Sequence, residues 1–367
     1  MDLGFLHPLY SVSGPVASVY LDTTRSTESA AKEIELRWRG LREELAASGA
    51  DEETLQALDG VVGGVSNLPG PQGEALFAAE GRILAAHTLP RPPVRDRASW
   101  RRGGDPLELV TVLDAGVPHV VVAVDRLGAD VDAYPAHGGP VDERSFSGAT
   151  LHVQKVNAGG WSHKRYQRHS EEVWSENAAA VAGDVEEAVA EVSAAVVFVG
   201  GDERAIGKLR EHLSERVHDL VVEVPGGRAE GGAVDSLREA VDAGLRDRAN
   251  ARHAEVLAEL SQELGRDGRA VQGADSTAGA LRTGQVRTLL LSPDVIDEPV
   301  MWASATDPLE VSTERGRLTD PDTAFQGPAS ALLLRAAQAT DAGFTTLPDP
   351  KDATDGVAAL LRFTMEE

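Results

Sequence analysis

The sequence predicts an α/β (α+β) protein divided into three domains. β-Branched runs alternate with amphipathic helical patterns from one end to the other. Two breaks interrupt the alternation: a Pro/Gly/Arg-rich stretch at 90–106 and a glycine-rich stretch at 225–233. The length of 367 residues fits two to three domains, taking roughly 150 residues for each. The expected domains are therefore 1–105, 106–232 and 233–367.

In the first domain Val16–Asp22 reads as a strand. Ser29–Ala47 reads as a helix with Ile34, Leu36, Leu41 and Leu45 at helical spacing. Asp51 is placed to cap a shorter helix that ends near Leu58. Ala75–Ala79 and Arg82–Leu89 flank Glu80-Gly81, a hairpin signal. Residues 90–106 read as an interdomain linker or as a loop with a basic surface. In the second domain Leu107–Leu113 is a short helix, and His119–Asp125 with Ala129–Tyr134 are strands. Leu151–Val156 is another strand. Tyr166, Ser170, Val173, Trp174, Asn177, Val181, Val185, Ala188, Val189 and Val192 lie near one face of a long helix that Gly183 could kink or split. Ala195–Gly200, Asp202–Leu213 and His218–Val224 follow as strand, helix and strand. The third domain opens with a helix from Asp235 to Leu264. It continues through an extended surface loop at 293–328 and a helix at Ala329–Ala342, and closes with a strand–helix–strand stretch ending in Gly356–Phe363.

Composition excludes several functions. Lys plus Arg total 35 against 59 for Asp plus Glu, a net charge of −24. A surface that acidic repels phosphate backbones at long range, so a general nucleic-acid coat protein is excluded. With no cysteine there is no disulfide framework, thiolate zinc site, iron–sulfur cluster or thiol nucleophile. Apolar runs such as Val120–Val124 fall far below the roughly 18 residues of a membrane span. The N-terminus lacks a basic segment and a long apolar one, so no secretory signal is expected and the location is expected to be cytoplasmic.

One segment breaks the charge pattern. Between Arg144 and Ser170 no acidic residue occurs, and Arg144, Lys155, Lys164, Arg165 and Arg168 give +5 in 27 residues against −29 in the other 340. Three histidines, His152, His163 and His169, add to it. Val156 ends a strand, Asn157-Ala158-Gly159-Gly160 forms a turn, and Ser162 is a good N-cap for the helix that follows. His163, Lys164 and Arg165 then set positive charge on the positive end of that helix, which costs a few tenths of a kcal/mol per charge. Local rules tend to fail at functional sites. Trp161 at a double-glycine tip, beside Arg165 and Tyr166, suits stacking on nucleobases. The plainer alternative tucks Trp161 under the loop as core and pairs Arg165 and Arg168 with Glu171 and Glu172.

Gly159-Gly160-Trp161-Ser162-x-x-Arg165-Tyr166-x-Arg168, entering a long helix, resembles the Gly-Gly-Gln-Ser-x-x-Arg-Phe-x-Arg loop of archaeo-eukaryotic class-1 peptide release factors. The strand pair at 121–134 resembles the start of the same domain. Residues 271–294 and 355–363 resemble parts of the third domain of those factors. The similarity spans about 107–367 in collinear order, and the set resembles the bacterial relatives of release factor and Pelota, the group that includes Balon-type ribosome hibernation factors. The first domain shows no Asn-Ile-Lys-Ser codon-reading motif. The resemblance implies release-factor-like central and C-terminal domains with mixed sheets flanked by helices.

It also implies a function. The catalytic glutamine of the family loop is replaced by Trp161, whose indole only donates and whose bulk fills the space of an attacking water. The expected protein is a non-enzymatic, stress-related translation factor in the A site of idle or stalled 70S ribosomes. Gly159, Gly160, Trp161, Ser162, His163, Lys164, Arg165, Tyr166, Arg168 and His169 would contact rRNA toward the peptidyl-transferase centre. Elongation factor Tu or another translational GTPase is the implied protein partner. No catalytic residue, metal or cofactor is expected. The alternative is a ribosome-rescue peptidyl-tRNA hydrolase or tRNA nuclease using His163 or His169. Other chemistry finds little support. Residues 200–207 lack a phosphate-loop spacing and read as an Asp202 helix cap, and no His-Glu-x-x-His motif occurs.

Overall fold

The computed structural model describes residues 1–63, 71–125, 128–135, 171–228, 232–266 and 268–363. Each third of the chain builds its own sheet. In the first, a short helix α1 (His7–Tyr10) precedes strand β1 (Pro15–Asp22), helices α2 (Ala30–Ala47) and α3 (Glu52–Asp59), strands β2 (Gly73–Ala79), β3 (Arg82–Leu89) and β4 (Arg97–Arg102), and helix α4 (Leu107–Asp114). The four strands form an antiparallel sheet in the order β3-β2-β1-β4. Glu80 and Gly81 turn the expected hairpin with positive φ at both positions, 53° and 72°, as a two-residue I′ connection requires. Asp51 caps α3 as expected, accepting from Thr54 N at 2.8 Å. Residues 90–106 are not a plain linker: their middle is β4, the sheet's edge strand.

Period-two alternation divides the burial. Ala17, Val19, Leu21, Leu76 and Ala78 face Ile34, Trp38, Leu41 and Leu45 of α2 and Leu55 and Leu58 of α3. Leu36, expected on that helical face, is instead 51% exposed; Trp38 fills the position, and its Nε1 donates to Asp59 Oδ1 at 2.8 Å.

The middle third carries β5 (His119–Asp125), β6 (Gly128–Tyr134), α5 (Glu171–Val192), β7 (Val196–Gly201), α6 (Glu203–His212), α7 (Glu215–His218), β8 (Val221–Glu223) and the start of α8 (Gly232–Gly265). The sheet order is β6-β5-β7-β8, antiparallel between β6 and β5 and parallel across β5, β7 and β8. A parallel sheet of this kind is covered on both faces. Val181, Val185 and Val189 of α5 and Ile206 and Leu209 of α6 pack on Val120, Val122, Val197 and Val199. Leu237 and Val241 of α8 pack with Val196 and Phe198 on the other face. Gly183 does not split α5, which runs unbroken through it; the position is exposed, and a Cβ there would meet nothing within 4 Å.

The last third has β9 (Ala270–Gln272), α9 (Ala274–Arg282), β10 (Val286–Leu291), β11 (Val300–Ala303), β12 (Val311–Ser312), β13 (Phe325–Pro328), α10 (Ala329–Ala339), β14 (Gly343–Thr346) and β15 (Val357–Leu361). A mixed sheet runs β14-β10-β15-β9. The expected surface loop at 293–328 is corrected: it contains the antiparallel sheet β12-β11-β13. Its strands are only two to four residues long, too short for a period to stand out among Pro, Asp and Thr. α10 is buried nearly all round, with Leu332, Leu333 and Leu334 inaccessible.

Contacts group residues 1–114 and 252–363 into one compact unit, and 115–135 with 171–251 into a second. The expected division at 105/106 and 232/233 falls instead at 114/115 and at 251/252, within α8. One core explains the first unit. Val16, Tyr20, Phe77 and Leu89 of the first sheet share a cluster with Leu281, Leu289, Leu332, Leu333 and Phe344 of the last third.

Glu74 on β2 lies inside this unit, 2% exposed, and its Oε2 accepts from Gly63 N at 3.0 Å. Burial pushes its carboxyl up from 4.5 to about 7, although the Gly63 amide and the Arg25 charge pull the other way. A carboxyl raised on folding favours the folded state while protonated, and that contribution is lost as pH rises from the unfolded value through the folded one. Glu74→Gln should therefore gain in melting temperature relative to wild type between about pH 5 and pH 8. A difference that stays constant across that range would show that Glu74 takes up no proton on folding.

Candidate nucleic-acid interface

The expected interface residues, Gly159 to His169, lie outside the described residues, as do the strand expected at 151–156 and the cap Ser162. In sequence they fall between the end of β6 at Tyr134 and the start of α5 at Glu171, and both flanks are described. Tyr134 sits opposite His119 in the β5–β6 register. The two rings stack at 4.6 Å between centroids and 8° between planes, with Phe198 edge-on to His119. Burial lowers the His119 pKa, opposed by the hydrogen bond of its Nδ1 to Val117 O. The imidazole stacked on Tyr134 holds the last residue of β6, which precedes the basic window in sequence.

The opposite end of the hairpin is held by charge. Arg228 Nε donates to Asp130 Oδ2 at 2.9 Å and its Nη1 to Asp125 Oδ1 at 3.0 Å. The turn after β7 is a structural cap, as the spacing of 200–207 suggested. Asp202 Oδ1 accepts from Arg204 N and Ala205 N, and Gly201 takes φ 145° where a Cβ would lie 1.7 Å from Val124 O.

A second polar centre lies in the other unit, and sequence reasoning missed it. Asp114 ends α4 with a fully buried side chain. Its Oδ2 accepts from Thr346 N at 2.8 Å and pairs with His253 Nε2 at 2.9 Å, while Arg252 Nη2 lies 3.2 Å from Oδ1. Thr345 Oγ1 and the Met1 amine also face it, the amine at 4.0 Å. Burial works against ionisation, but His253, the Thr346 amide, Arg252 and the amine outweigh it and hold the carboxyl below the usual range. Arg252, His253, Thr345 and Thr346 all lie more than 130 positions from Asp114 in sequence, and no local pattern joins them. Thr346 N, His253 Nε2 and Arg252 Nη2 converge on this one carboxylate, so the centre reads as a structural clamp. Among the described residues no group of three or more His, Asp or Glu side chains could hold a metal ion, and no helix is long and apolar enough to cross a membrane.

The middle third thus carries a mixed sheet flanked by helices, and in sequence the basic window falls between its β6 and α5. Residues 118–266 match bacterial archaeo-eukaryotic release factor family 2. The chain belongs to this family, and its similarity to a bacterial protein runs nearly end to end: uncharacterized protein Rv2629 of Mycobacterium tuberculosis is 30% identical over 370 residues, 97% of this chain and 95% of the relative. Among solved structures, Archaeoglobus fulgidus Pelota aligns at TM-score 0.34 and 17% identity, covering 81% of this chain and 80% of Pelota. Saccharomyces cerevisiae Dom34, described as a translation termination-like factor that interacts with Hbs1, aligns at 0.42 and 10% over 81% and 80%.

Proposed function

We propose that the protein is a cytoplasmic, non-catalytic translation factor that binds the A site of idle or stalled 70S ribosomes as a hibernation or stress factor. The loop at 159–169 would extend toward the peptidyl-transferase centre and contact rRNA, and elongation factor Tu or another translational GTPase would be its protein partner. The single observation that carries the reading is the charge contrast: +5 in 27 residues within a chain of net −24, inside the span that matches the release-factor family. Phosphate backbones attract only the part of such a molecule that is locally positive.

Trp161 argues against catalysis. Where the family loop carries glutamine, an indole can neither accept from water nor leave room for it. Purified protein should release no peptide from ribosomes carrying peptidyl-tRNA, and stop-codon-dependent release above the buffer rate would instead favour the rescue-hydrolase reading. Trp161 should act as a stacking platform. Trp161→Ala should leave the melting temperature nearly unchanged and weaken 70S binding by about 1–3 kcal/mol, the worth of one base–aromatic stack. A stability loss of about 3–5 kcal/mol, typical of a truncated buried tryptophan, would move Trp161 from recognition to packing.

A further inference from the structure

The geometry points to a second RNA-phosphate contact surface, on loop 91–96 and edge strand β4, formed by Arg91, Arg95 and Arg101. This inference rests on the ribosome-binding reading and extends it to a part of the chain outside the basic window. Residues 90–102 hold five arginines and a single acid, Asp96, in a protein whose acidic side chains far outnumber its basic ones.

The single acid of this segment is engaged elsewhere, and one of the five arginines is already paired. Asp96 turns inward: its Oδ1 accepts from Asp22 N at 2.7 Å and its Oδ2 lies 3.7 Å from Arg37 Nε. Arg97 also turns inward, over the Tyr20 ring at 4.2 Å and onto Glu108 and Asp105. The carboxylate therefore anchors the loop to the end of β1 and to α2. A second anchor is steric. A Cβ on Gly73 would lie 2.8 Å from Pro93 Cδ and 3.0 Å from Arg91 O, so glycine at that position lets the Pro-rich loop lie flat on β2.

What remains outward is positive. Arg91, Arg95 and Arg102 are exposed and Arg101 is half-buried. Arg91, Arg95 and Arg101 form no ion pair among the described residues. Arg102 joins Arg335 over the ring of Phe325, at 5.6 and 5.8 Å, and this like-charge neighbour adds to the burial that lowers the Arg335 pKa. Gathering guanidiniums without counter-charges costs the free protein stability, and such breaches of local rules concentrate at functional sites. Prolines at 90, 92 and 93 stiffen the loop, so little entropy is lost on docking. Planar guanidiniums on a fixed frame suit bidentate contact with phosphate.

The test is the triple variant Arg91→Gln, Arg95→Gln, Arg101→Gln, compared with wild type and with Lys164→Glu/Arg165→Glu for pelleting with 70S ribosomes over a salt series. These are surface changes, so the melting curve should match wild type. Affinity should fall about tenfold or more, and the slope of log K against log[salt] should become shallower by about 2 to 3, one for each phosphate that the variant no longer neutralises. Wild-type affinity in the triple variant, with binding abolished only in the Lys164/Arg165 variant, would overturn this surface and leave the proposed function standing. Weaker binding with an unchanged salt slope would mean that the arginines meet ribosomal protein rather than RNA, and overturns the phosphate assignment. Failure of the wild type to pellet would overturn both.

Discussion

Asp114→Ala should cost the unit that contains it about 3–5 kcal/mol, the range for removing one partner of a buried charge pair. The substitution removes the acceptor for Thr346 N, His253 Nε2 and Arg252 Nη2 at once. His253 keeps only 13% of its side-chain surface in water, so it cannot recover its hydrogen bond from solvent, whereas Arg252, at 42%, partly can. Arg252→Ala should accordingly cost much less than Asp114→Ala. The pH dependence has a definite sign. A carboxyl held below its ordinary range in the folded state contributes stability above its unfolded pKa, and that stability is lost as pH falls through the folded value. The acid limb of the wild-type stability curve should therefore be steeper than that of Asp114→Asn. Urea melts of the three variants and the wild type at neutral and acid pH give both readouts. A loss below about 1 kcal/mol for Asp114→Ala, well short of the buried-pair range, would show that the clamp is not structural.

Much of the element order was legible because burial imposes a period. Strand β1 alternates Val16 and Tyr20 with Ala17, Val19 and Leu21, one set for each of two cores, and its β-branched, apolar run marks it as a strand. The α5 stripe at Val181, Val185 and Val189 likewise followed from spacing alone. Asp51 and Asp202 announced their helices because an N-cap is a local interaction.

Three features were not legible, for different physical reasons. Leu36 and Trp38 are two positions apart on α2, and the large indole takes the buried place through its hydrogen bond to Asp59, a tertiary contact. The short strands β4 and β11 to β13 carry arginine, proline and polar residues, so composition masks pairing that neighbouring strands impose. The fusion of the first and last thirds depends on which apolar face meets which. Periodicity reveals the face of Tyr20 and Phe77 but not its partners Leu289 and Phe344. At the candidate interface the position was different. Net charge per window exposed the basic segment directly, since a run of 27 residues without an acid stands out in a chain with 59 of them.

That window carries the functional account, and charge reversal inside it should have the largest effect on binding. Lys164→Glu with Arg165→Glu removes two cations and adds two anions beside the phosphate backbone. Two phosphates then keep their counterions on binding, and the added repulsion deepens the effect. Pelleting of wild-type and double-variant protein with 70S ribosomes from stationary-phase cells, across a salt series, measures this directly. The account predicts salt-sensitive binding by the wild type, weaker binding by the variant at every salt concentration, and a slope shallower by about 2 for the variant. Equal pelleting of the two folded proteins across the whole series would contradict it.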